Sequence, residues 1–239
     1  MKISIVIPAY NEEKRIEKSL SEIKKYCENN FQEYEVIVVD DCSNDKTNEI
    51  VGRYADSNIK LLKNKLNRGK GYSVKMGMLA AKYPMVLFSD SDLATPINEL
   101  KNFIDYIEQG YDIVIASRNL CDSDIKVKQP FYRQIMGKFF PFLVNVIALK
   151  GFKDTQCGFK LFKTGAAKRI NKLQTLERFS FDVEILFIAR KLGYKIKEAP
   201  VVWIDKEGSK VNPIHDSFKM LIDLFKIRYN DLTGKYKIQ

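Results

Sequence analysis

Two aspartates separated by one residue follow a short apolar run near the middle of the chain. The stretch VLFSDSDL, residues 86–93, places Asp90 and Asp92 after hydrophobic residues that are typical of a buried strand. Carboxylates this close repel each other and stay ionised only where water, hydrogen-bond donors or a cation compensate their charge. Carboxylate oxygens suit Mg²⁺ and Mn²⁺. The pair therefore indicates a cation site or, alternatively, two solvated turn residues.

Polar residues also follow two other apolar runs. Asp40 and Asp41 end the run YEVIVVDD, and Arg118 ends the run YDIVIASR. A single acidic residue at a strand end can equally be a turn residue or a helix cap, and Asp41 keeps that alternative open because Ser43 follows it. Polar residues at three strand ends, with a metal ion between them, suit a nucleoside diphosphate.

Alternating strand and helix patterns would position these residues. Continuous apolar runs such as 36–39 and 113–116 are typical of buried parallel strands, and segments with three- and four-residue apolar spacing lie between them. This alternation predicts an α/β fold with a mostly parallel central sheet and helices on both faces. Ligands of such sheets bind beyond the carboxyl ends of the strands, where the acidic residues fall.

The composition favours a polyanionic partner. The chain has 239 residues, 40 Lys and Arg against 30 Asp and Glu, and a formal net charge of +10. Such an excess suits nucleic acid, a phosphorylated substrate or an anionic membrane, and the alternative is a basic surface without a specific partner. The four cysteines form no CxxC pair. We therefore expect reduced thiols and a cytoplasmic setting.

A glycine-rich basic stretch, NRGKGYSVKMG, lies between the second and fourth predicted strands. It lacks the spacing of a P-loop. Gly69 would let the backbone approach a nucleotide closely, while Arg68 and Lys70 would offset the charge of a diphosphate. The alternative is an ordinary turn into a helix with exposed basic residues.

An ordered set of motifs resembles the family-2 glycosyltransferases of GT-A fold. Its first half consists of VIPAYNE, VVDDCSND, NRGKGYSVKMGM and SDSDL, and its second half of DTQCGFKLF, ERFSFDVEIL, VVWIDKEGSKV and DLFKIRYNDLTGKY. The second half resembles the branch that makes dolichyl-phosphate β-glucose. The resemblance implies one catalytic domain over 1–239. We expect a nucleotide-sugar half at about 1–117, an acceptor half at about 118–205 and an amphipathic extension at about 206–239.

The resemblance implies a role for each matched residue of the donor side. The predicted nucleotide-sugar residues are Pro8, Ala9, Tyr10, Glu12, Asp40, Asp41, Arg68, Gly69, Lys70, Asp90 and Ser91. Asp92, assisted by Asp90, would hold Mg²⁺ or Mn²⁺ against the diphosphate of a UDP-sugar. Related mannosyltransferases often carry Gln two residues after this pair, whereas this chain has Ala94. Their metal geometry therefore does not transfer directly.

The acceptor side rests on the second half. Asp154 matches the proposed catalytic acid or base of the family. A lipid phosphate has a second pKa of about 6 and arrives as an anion, so we expect Asp154 to orient a reactant without removing a proton. Arg118 and Arg133 match arginines that related polyprenyl-phosphate enzymes use. Lys160 and Lys210 are candidates for the same phosphate, with surface lysines as the alternative.

Two segments are expected to lie on a membrane surface. Residues 131–152 are rich in aromatic and aliphatic residues but too interrupted to span a bilayer. In the second segment, residues 213–232, the side chains of Phe218, Leu221, Leu224 and Phe225 can share one helix face. Packing on the domain core is the alternative for each segment. The single histidine, His215, is expected to be incidental.

Together these features predict metal-dependent, inverting transfer of a hexose from a UDP-sugar to dolichyl or another polyprenyl phosphate at the cytoplasmic face of a membrane. Glucose is the first expectation for the sugar, with N-acetylglucosamine from UDP, mannose from GDP, or a non-lipid acceptor as alternatives. A nucleotidyltransferase would need a glycine-rich loop after the first strand, and PAYNEEKR does not supply one. A nucleic-acid module would interleave cations with exposed aromatics, a pattern that this chain lacks.

Overall fold

The computed structural model describes residues 1–125, 141–204, 206 and 213–237, and the side chains of the last helix from residue 218 onward. Its main sheet has seven strands in the order β3-β2-β1-β4-β7-β5-β8. They are β1 Lys2–Ala9, β2 Glu33–Asp40, β3 Ile59–Lys63, β4 Met85–Ser89, β5 Ile113–Ser117, β7 Phe159–Lys163 and β8 Ile196–Pro200. Only β7 runs antiparallel to its neighbours β4 and β5. The mostly parallel α/β sheet was predicted and is confirmed.

Helices cover both faces of this sheet. One core contains apolar residues from α1 (Ile16–Asn30), α2 (Thr47–Tyr54) and α4 (Leu100–Glu108). The opposite core contains residues from α3 (Lys70–Ala80), α5 (141–147), α6 (Thr164–Leu173), α7 (Phe181–Lys191) and α8 (Pro213–Leu232). A second, two-stranded sheet pairs β6 (Asp124–Ile125) with β9 (Val202–Trp203). A 3₁₀ turn at Ile97–Glu99 precedes α4.

The central strands are buried on both faces, which explains their continuous apolar sequences. In β1 and β2 every residue after the first is buried. Successive side chains of β1 alternate between the two cores, since Ile5 and Ile7 lie in one and Val6 lies in the other. Because β1 is parallel to both β2 and β4, the loops that follow these three strands leave the sheet at the same edge.

Helix α3 packs directly on β1 at Gly77, where there is no room for a side chain. A Cβ atom added at Gly77 would clash with Cγ1 of Val6. The helix begins after Gly69, whose φ of 102° is in the left-handed region that glycine adopts without strain. Glycine at both positions thus sets how α3 approaches the sheet and how its first turn begins.

Helix α8 differs from the face predicted for it. Leu224 is fully buried and Leu221 is half-buried, so these two residues do not belong to an exposed stripe with Phe218 and Phe225. The exposed apolar residues of α8 follow a spacing of three and four and form what we call the α8 stripe: Phe218, Ile222, Phe225, Tyr229 and Leu232. Within the described part of the chain, no helix has the length and apolar character required to span a bilayer.

Candidate functional site

The candidate site lies where the carboxyl end of β4 meets the amino end of the antiparallel strand β7. The backbone N–H of Asp90 donates to the carbonyl oxygen of Gly158 over 2.9 Å, which extends the antiparallel pairing of Ser89 with Phe159. A Cβ atom added at Gly158 would overlap the Asp90 carboxylate. The insertion of β7 beside β4 therefore brings the stretch DTQCGFK directly against the aspartate pair.

Asp92 lies in an environment that disfavours its negative charge. Burial, followed by the nearby charge of Asp90, raises the pKa of the Asp92 carboxyl. The guanidinium of Arg15 lies 3.9 Å from Asp92 Oδ2 and partly opposes this shift. Arg15 also forms an ion pair with Glu12 over 2.7 Å. A basic residue of the loop after β1 thus reaches the aspartate pair, a contact that sequence reasoning missed.

Asp90 also belongs to a compact charged cluster with Lys70, Lys160 and Asp182. Lys70 Nζ, at the start of α3, lies 2.7 Å from Asp90 Oδ1. Burial lowers the pKa of Lys70, but the charges of Asp90 and Asp182 outweigh burial and raise it overall. Lys160 forms an ion pair with Asp182, and burial raises the pKa of the Asp182 carboxyl. Sequence reasoning also missed Asp182, because its position in FSFDVEIL marks only a helix start.

The structure does not support Lys160 as a ligand of the acceptor phosphate. Its side chain is fully buried, and Nζ donates to the carbonyl oxygen of Cys157 over 2.7 Å as well as to Asp182. An ammonium group with these partners neutralises the buried carboxylate, which is costly to leave unpaired. The other candidates for the acceptor phosphate are Arg118, Arg133 and Lys210. Of these, Arg133 and Lys210 lie outside the described residues.

Arg118 and Asp154 form a two-pronged ion pair at the end of β5. Arg118 Nε donates to Asp154 Oδ2 over 2.6 Å, and Nη2 donates to Oδ1 over 3.0 Å. Burial opposes ionisation of Asp154, but the Arg118 guanidinium outweighs burial and lowers the pKa of the carboxyl. The Arg118 guanidinium also lies 5.5 Å from the ring centre of Trp203. Asp154 is therefore an ionised, firmly oriented carboxylate and a weak base.

The two aspartates at the end of β2 accept hydrogen bonds from backbone groups of the protein. Asp41 accepts hydrogen bonds from the backbone N–H groups of Arg68 over 3.0 Å and Gly69 over 2.7 Å. Asp40 accepts from the backbone N–H of Ser43 over 3.1 Å. Both carboxylates are buried, which favours the turn role that was left open for Asp41 over direct contact with uracil or ribose. Asp41 fixes the loop at the N-terminus of α3, where the helix dipole favours an anion.

The remaining predicted donor residues follow β1 and β4. Pro8 and Ala9 are buried within β1, Tyr10 is half-buried, and the backbone N–H of Glu12 donates to Thr47 Oγ1 over 2.7 Å. The carbonyl oxygen of Ser91 accepts from the hydroxyl of Ser19 over 2.6 Å. These residues border the same sheet edge as Asp90, and their predicted contacts with a nucleotide remain predictions.

Two polar side chains next to Asp154 retain hydrogen-bonding capacity. Thr155 Oγ1 and Gln156 Nε2 are buried without a partner among the described residues. Buried polar groups are nearly always paired with protein, water or a ligand, so these two atoms are available to a polar ligand that binds beside Asp154. The spacing of DTQCG alone could not distinguish these two side chains from ordinary loop residues.

The donor set at Asp90 and Asp92 fits a divalent cation that is shared with a substrate. The described residues contain no group of three or more candidate ligands of the His, Cys, Asp and Glu types. Mg²⁺ is usually held by one or two carboxylates together with substrate phosphate oxygens, a requirement that two aspartates meet. Burial, followed by the charge of Asp90, raises the pKa of Asp92, and a cation bound to the carboxylates would oppose both effects.

Residues 4–170 match the family described as glycosyl transferase family 2. The chain belongs to this family. It is 40% identical to the dolichyl-phosphate beta-glucosyltransferase of Dictyostelium discoideum, and the alignment covers 99% of this chain and 77% of that protein. It is 34% identical to the dolichyl-phosphate beta-glucosyltransferase of Homo sapiens, over 99% of this chain and 78% of that protein. The predicted resemblance is confirmed, and the chain is a glycosyltransferase.

Solved structures of the same fold support the architecture. Glucosyl-3-phosphoglycerate synthase from Mycobacterium tuberculosis, in complex with Mn²⁺, UDP and glucosyl-3-phosphoglycerate, aligns with a TM-score of 0.69 and 18% identity. The alignment covers 100% of this glycosyltransferase and 81% of that chain. The predicted GT-A fold is thereby confirmed.

Proposed function

We propose that this glycosyltransferase transfers glucose from UDP-glucose to dolichyl phosphate or another polyprenyl phosphate, with inversion at the anomeric carbon. The observation that carries the proposal is the joint position of Asp90, Asp92 and the Arg118–Asp154 pair at one sheet edge, in a chain related to dolichyl-phosphate beta-glucosyltransferases. UDP-N-acetylglucosamine or GDP-mannose as donor, or a non-lipid acceptor, is the second candidate.

The donor would lie across the loops after β1, β2 and β4. Asp90 and Asp92 would hold Mn²⁺ or Mg²⁺, which neutralises charge on the departing UDP. Lys70, 2.7 Å from Asp90, adds a fixed positive charge at the N-terminus of α3. Arg15 adds a second positive charge close to Asp92. Positive charges at these two positions would favour departure of a nucleoside diphosphate bound beside Asp92, where negative charge would develop.

The acceptor would approach from the side of Arg118 and Asp154. A phosphate monoester that is already ionised is a competent nucleophile and needs no strong base. The lowered pKa of Asp154 agrees with this chemistry, because a carboxylate held by Arg118 orients its surroundings without taking a proton. Thr155 and Gln156 would offer their unpaired polar atoms to sugar hydroxyl groups.

The lipid acceptor calls for a membrane surface, and we propose that α8 binds one from the cytoplasmic side. The α8 stripe is flanked by two grooves in which cations outnumber acids. One groove is lined by Arg68, Arg178, Lys219 and Lys226 with Glu177 and Asp223, and the other by Lys150, Arg190, Lys191 and Arg228 with Asp231. Apolar residues between basic flanks are typical of helices that lie in the interface of an anionic membrane. Four unpaired cysteines agree with a reducing compartment.

A transfer assay tests the reaction. Purified protein is incubated with a short-chain polyprenyl phosphate, Mn²⁺ or Mg²⁺, and separately labelled UDP-glucose, UDP-N-acetylglucosamine or GDP-mannose. We expect a labelled lipid from UDP-glucose that is lost in Asp92→Ala. A lipid product from another donor would correct the sugar. Metal-dependent UDP binding without any lipid product would reject the acceptor.

A further inference from the structure

The C-terminal part of the chain is joined to the core through a buried polar cluster that the proposed reaction does not use. Glu184, on α7, is fully buried. Its carboxylate accepts hydrogen bonds from the backbone N–H of Leu176 over 2.7 Å and from the hydroxyl of Thr175 over 2.6 Å. The hydroxyl of Tyr236 donates to the same carboxylate over 2.6 Å. A carboxylate with this many donors is well satisfied without a cation.

Asn230, in the last turn of α8, and Tyr236, which follows α8, complete the cluster. Asn230 Nδ2 donates to Thr175 Oγ1 over 3.0 Å and to the Tyr236 hydroxyl over 3.3 Å. Asn230 and Tyr236 are each 1% exposed. Burial, followed by the charge of Glu184, raises the pKa of Tyr236, so its hydroxyl remains a donor at neutral pH. The cluster therefore fixes residues 174–178, which we call the support segment.

The support segment lies directly against the loop predicted to bind the donor, residues 68–71. Gln174 Nε2 donates to the carbonyl oxygen of Gly71 over 2.9 Å. On the other side, the carbonyl oxygen of Glu177 accepts from the backbone N–H of Tyr72 over 3.0 Å. A Cβ atom added at Gly69 would lie 2.7 Å from that Glu177 oxygen. At Glu177 the two backbone segments are therefore in direct contact, and the Gln174 side chain links them a second time.

From these contacts we propose that Tyr236 is a positioning residue for the donor loop. The inference rests on the proposed function in one respect, namely that the nucleotide binds at residues 68–71. Release of the support segment would let the loop populate arrangements that do not bind the nucleotide, and apparent affinity falls with the competent fraction. Asn230 and Tyr236 also anchor α8. The donor loop and α8, which carries the exposed stripe, therefore share one support.

The variant Tyr236→Phe removes only the hydroxyl. Hydrogen exchange of residues 68–72 is measured without ligand, and UDP affinity is measured by calorimetry with Mn²⁺. We expect several-fold faster exchange and an affinity reduced roughly three- to ten-fold, the effect of one lost buried hydrogen bond. Thr175→Val, which removes the other hydroxyl, is the second variant and is expected to act in the same direction.

Ser4→Ala is the matched control. Ser4 Oγ donates to the buried carboxylate of Glu35 over 2.7 Å, near the opposite end of β1 from the donor loop. Unchanged exchange and UDP affinity in both Tyr236→Phe and Thr175→Val, with a loss of thermal stability like that of Ser4→Ala, would overturn the proposal. Faster exchange without any UDP binding by the wild-type protein would uphold the contact but reject the donor site and the proposed function.

Discussion

The ion pair with Arg118 keeps Asp154 ionised at low pH, from which a pH dependence of the proposed transfer follows. Because the folded pKa of Asp154 is lowered, the carboxylate stays ionised at and above its ordinary value of about 3.9. Its contribution to stability is present above that value and is lost as the pH falls through the folded pKa. We therefore expect the acid limb of kcat, near pH 6 from the lipid phosphate, to persist in Asp154→Asn with a roughly ten- to hundred-fold lower rate. Loss of that limb in the variant would identify Asp154 as a base.

Gly158 controls the position of the Asp90 carboxylate. A methyl group at residue 158 would overlap that carboxylate, so Gly158→Ala must displace one of the two proposed metal ligands. We expect UDP affinity in the presence of Mn²⁺, measured by calorimetry, to fall by about tenfold or more, since each tenfold step corresponds to only about 1.4 kcal/mol. Gly165→Ala, where an added Cβ meets no atom within 4 Å, is the control and is expected to bind normally. Equal affinity in the two variants would contradict the assignment of Asp90.

At the scale of elements, the packing of α3 on β1 depends on one glycine. Gly77→Ala would push a methyl group into Val6, whereas Gly52→Ala on α2 has open space around it. We expect Gly77→Ala to lower the free energy of unfolding by about 1–3 kcal/mol because the core is overpacked. Gly52→Ala is expected to raise it by about 0.5–1 kcal/mol, since alanine favours a helix interior. Urea unfolding measures both, and a stabilised Gly77→Ala would refute the close approach of α3.

Local sequence patterns predicted individual strands better than they predicted contacts between residues of different elements. Apolar runs identified strands in the first half of the chain, such as β2, β4 and β5, whereas β7 and β8 were not predicted. Asp90 and Asp92 could be placed at a strand end because that placement needs only neighbouring residues. The contact of Lys70 with Asp90 joins α3 to β4, and spacing along the chain does not encode it. Lys160 was a candidate for the acceptor phosphate, with a surface lysine as the alternative, whereas its side chain is fully buried on the same face of β7 as Phe162. The alternation of residues around Lys160 could have indicated that its side chain is buried. The sequence gives no sign that Asp182 lies beside it and compensates its charge.

At the scale of the whole molecule, charge and the α8 stripe are expected to act together. Attraction between a protein of net charge +10 and an anionic surface falls with salt, because the Debye length is about 8 Å at 0.15 M. We expect vesicles with anionic lipid to bind the protein in co-sedimentation and to release it as salt rises. Phe225→Gln should weaken binding at all salt concentrations, whereas Ile125→Gln, at an exposed apolar residue of β6, should not. Equal losses in the two variants would reject α8 as the docking face.

The antiparallel strand β7 also determines when the protein can fold during synthesis. Its pairing of Met85–Ser89 with Phe159–Lys163 joins residues that are far apart in the chain, so β4 has no neighbour on that side until β7 has left the ribosome. An apolar strand with an unpaired edge is prone to pair with other chains. The nascent protein therefore passes through a stage at which Asp90 and Asp92 have been synthesised but their sheet is open. A chaperone that covers such an edge would protect yield without touching the finished enzyme.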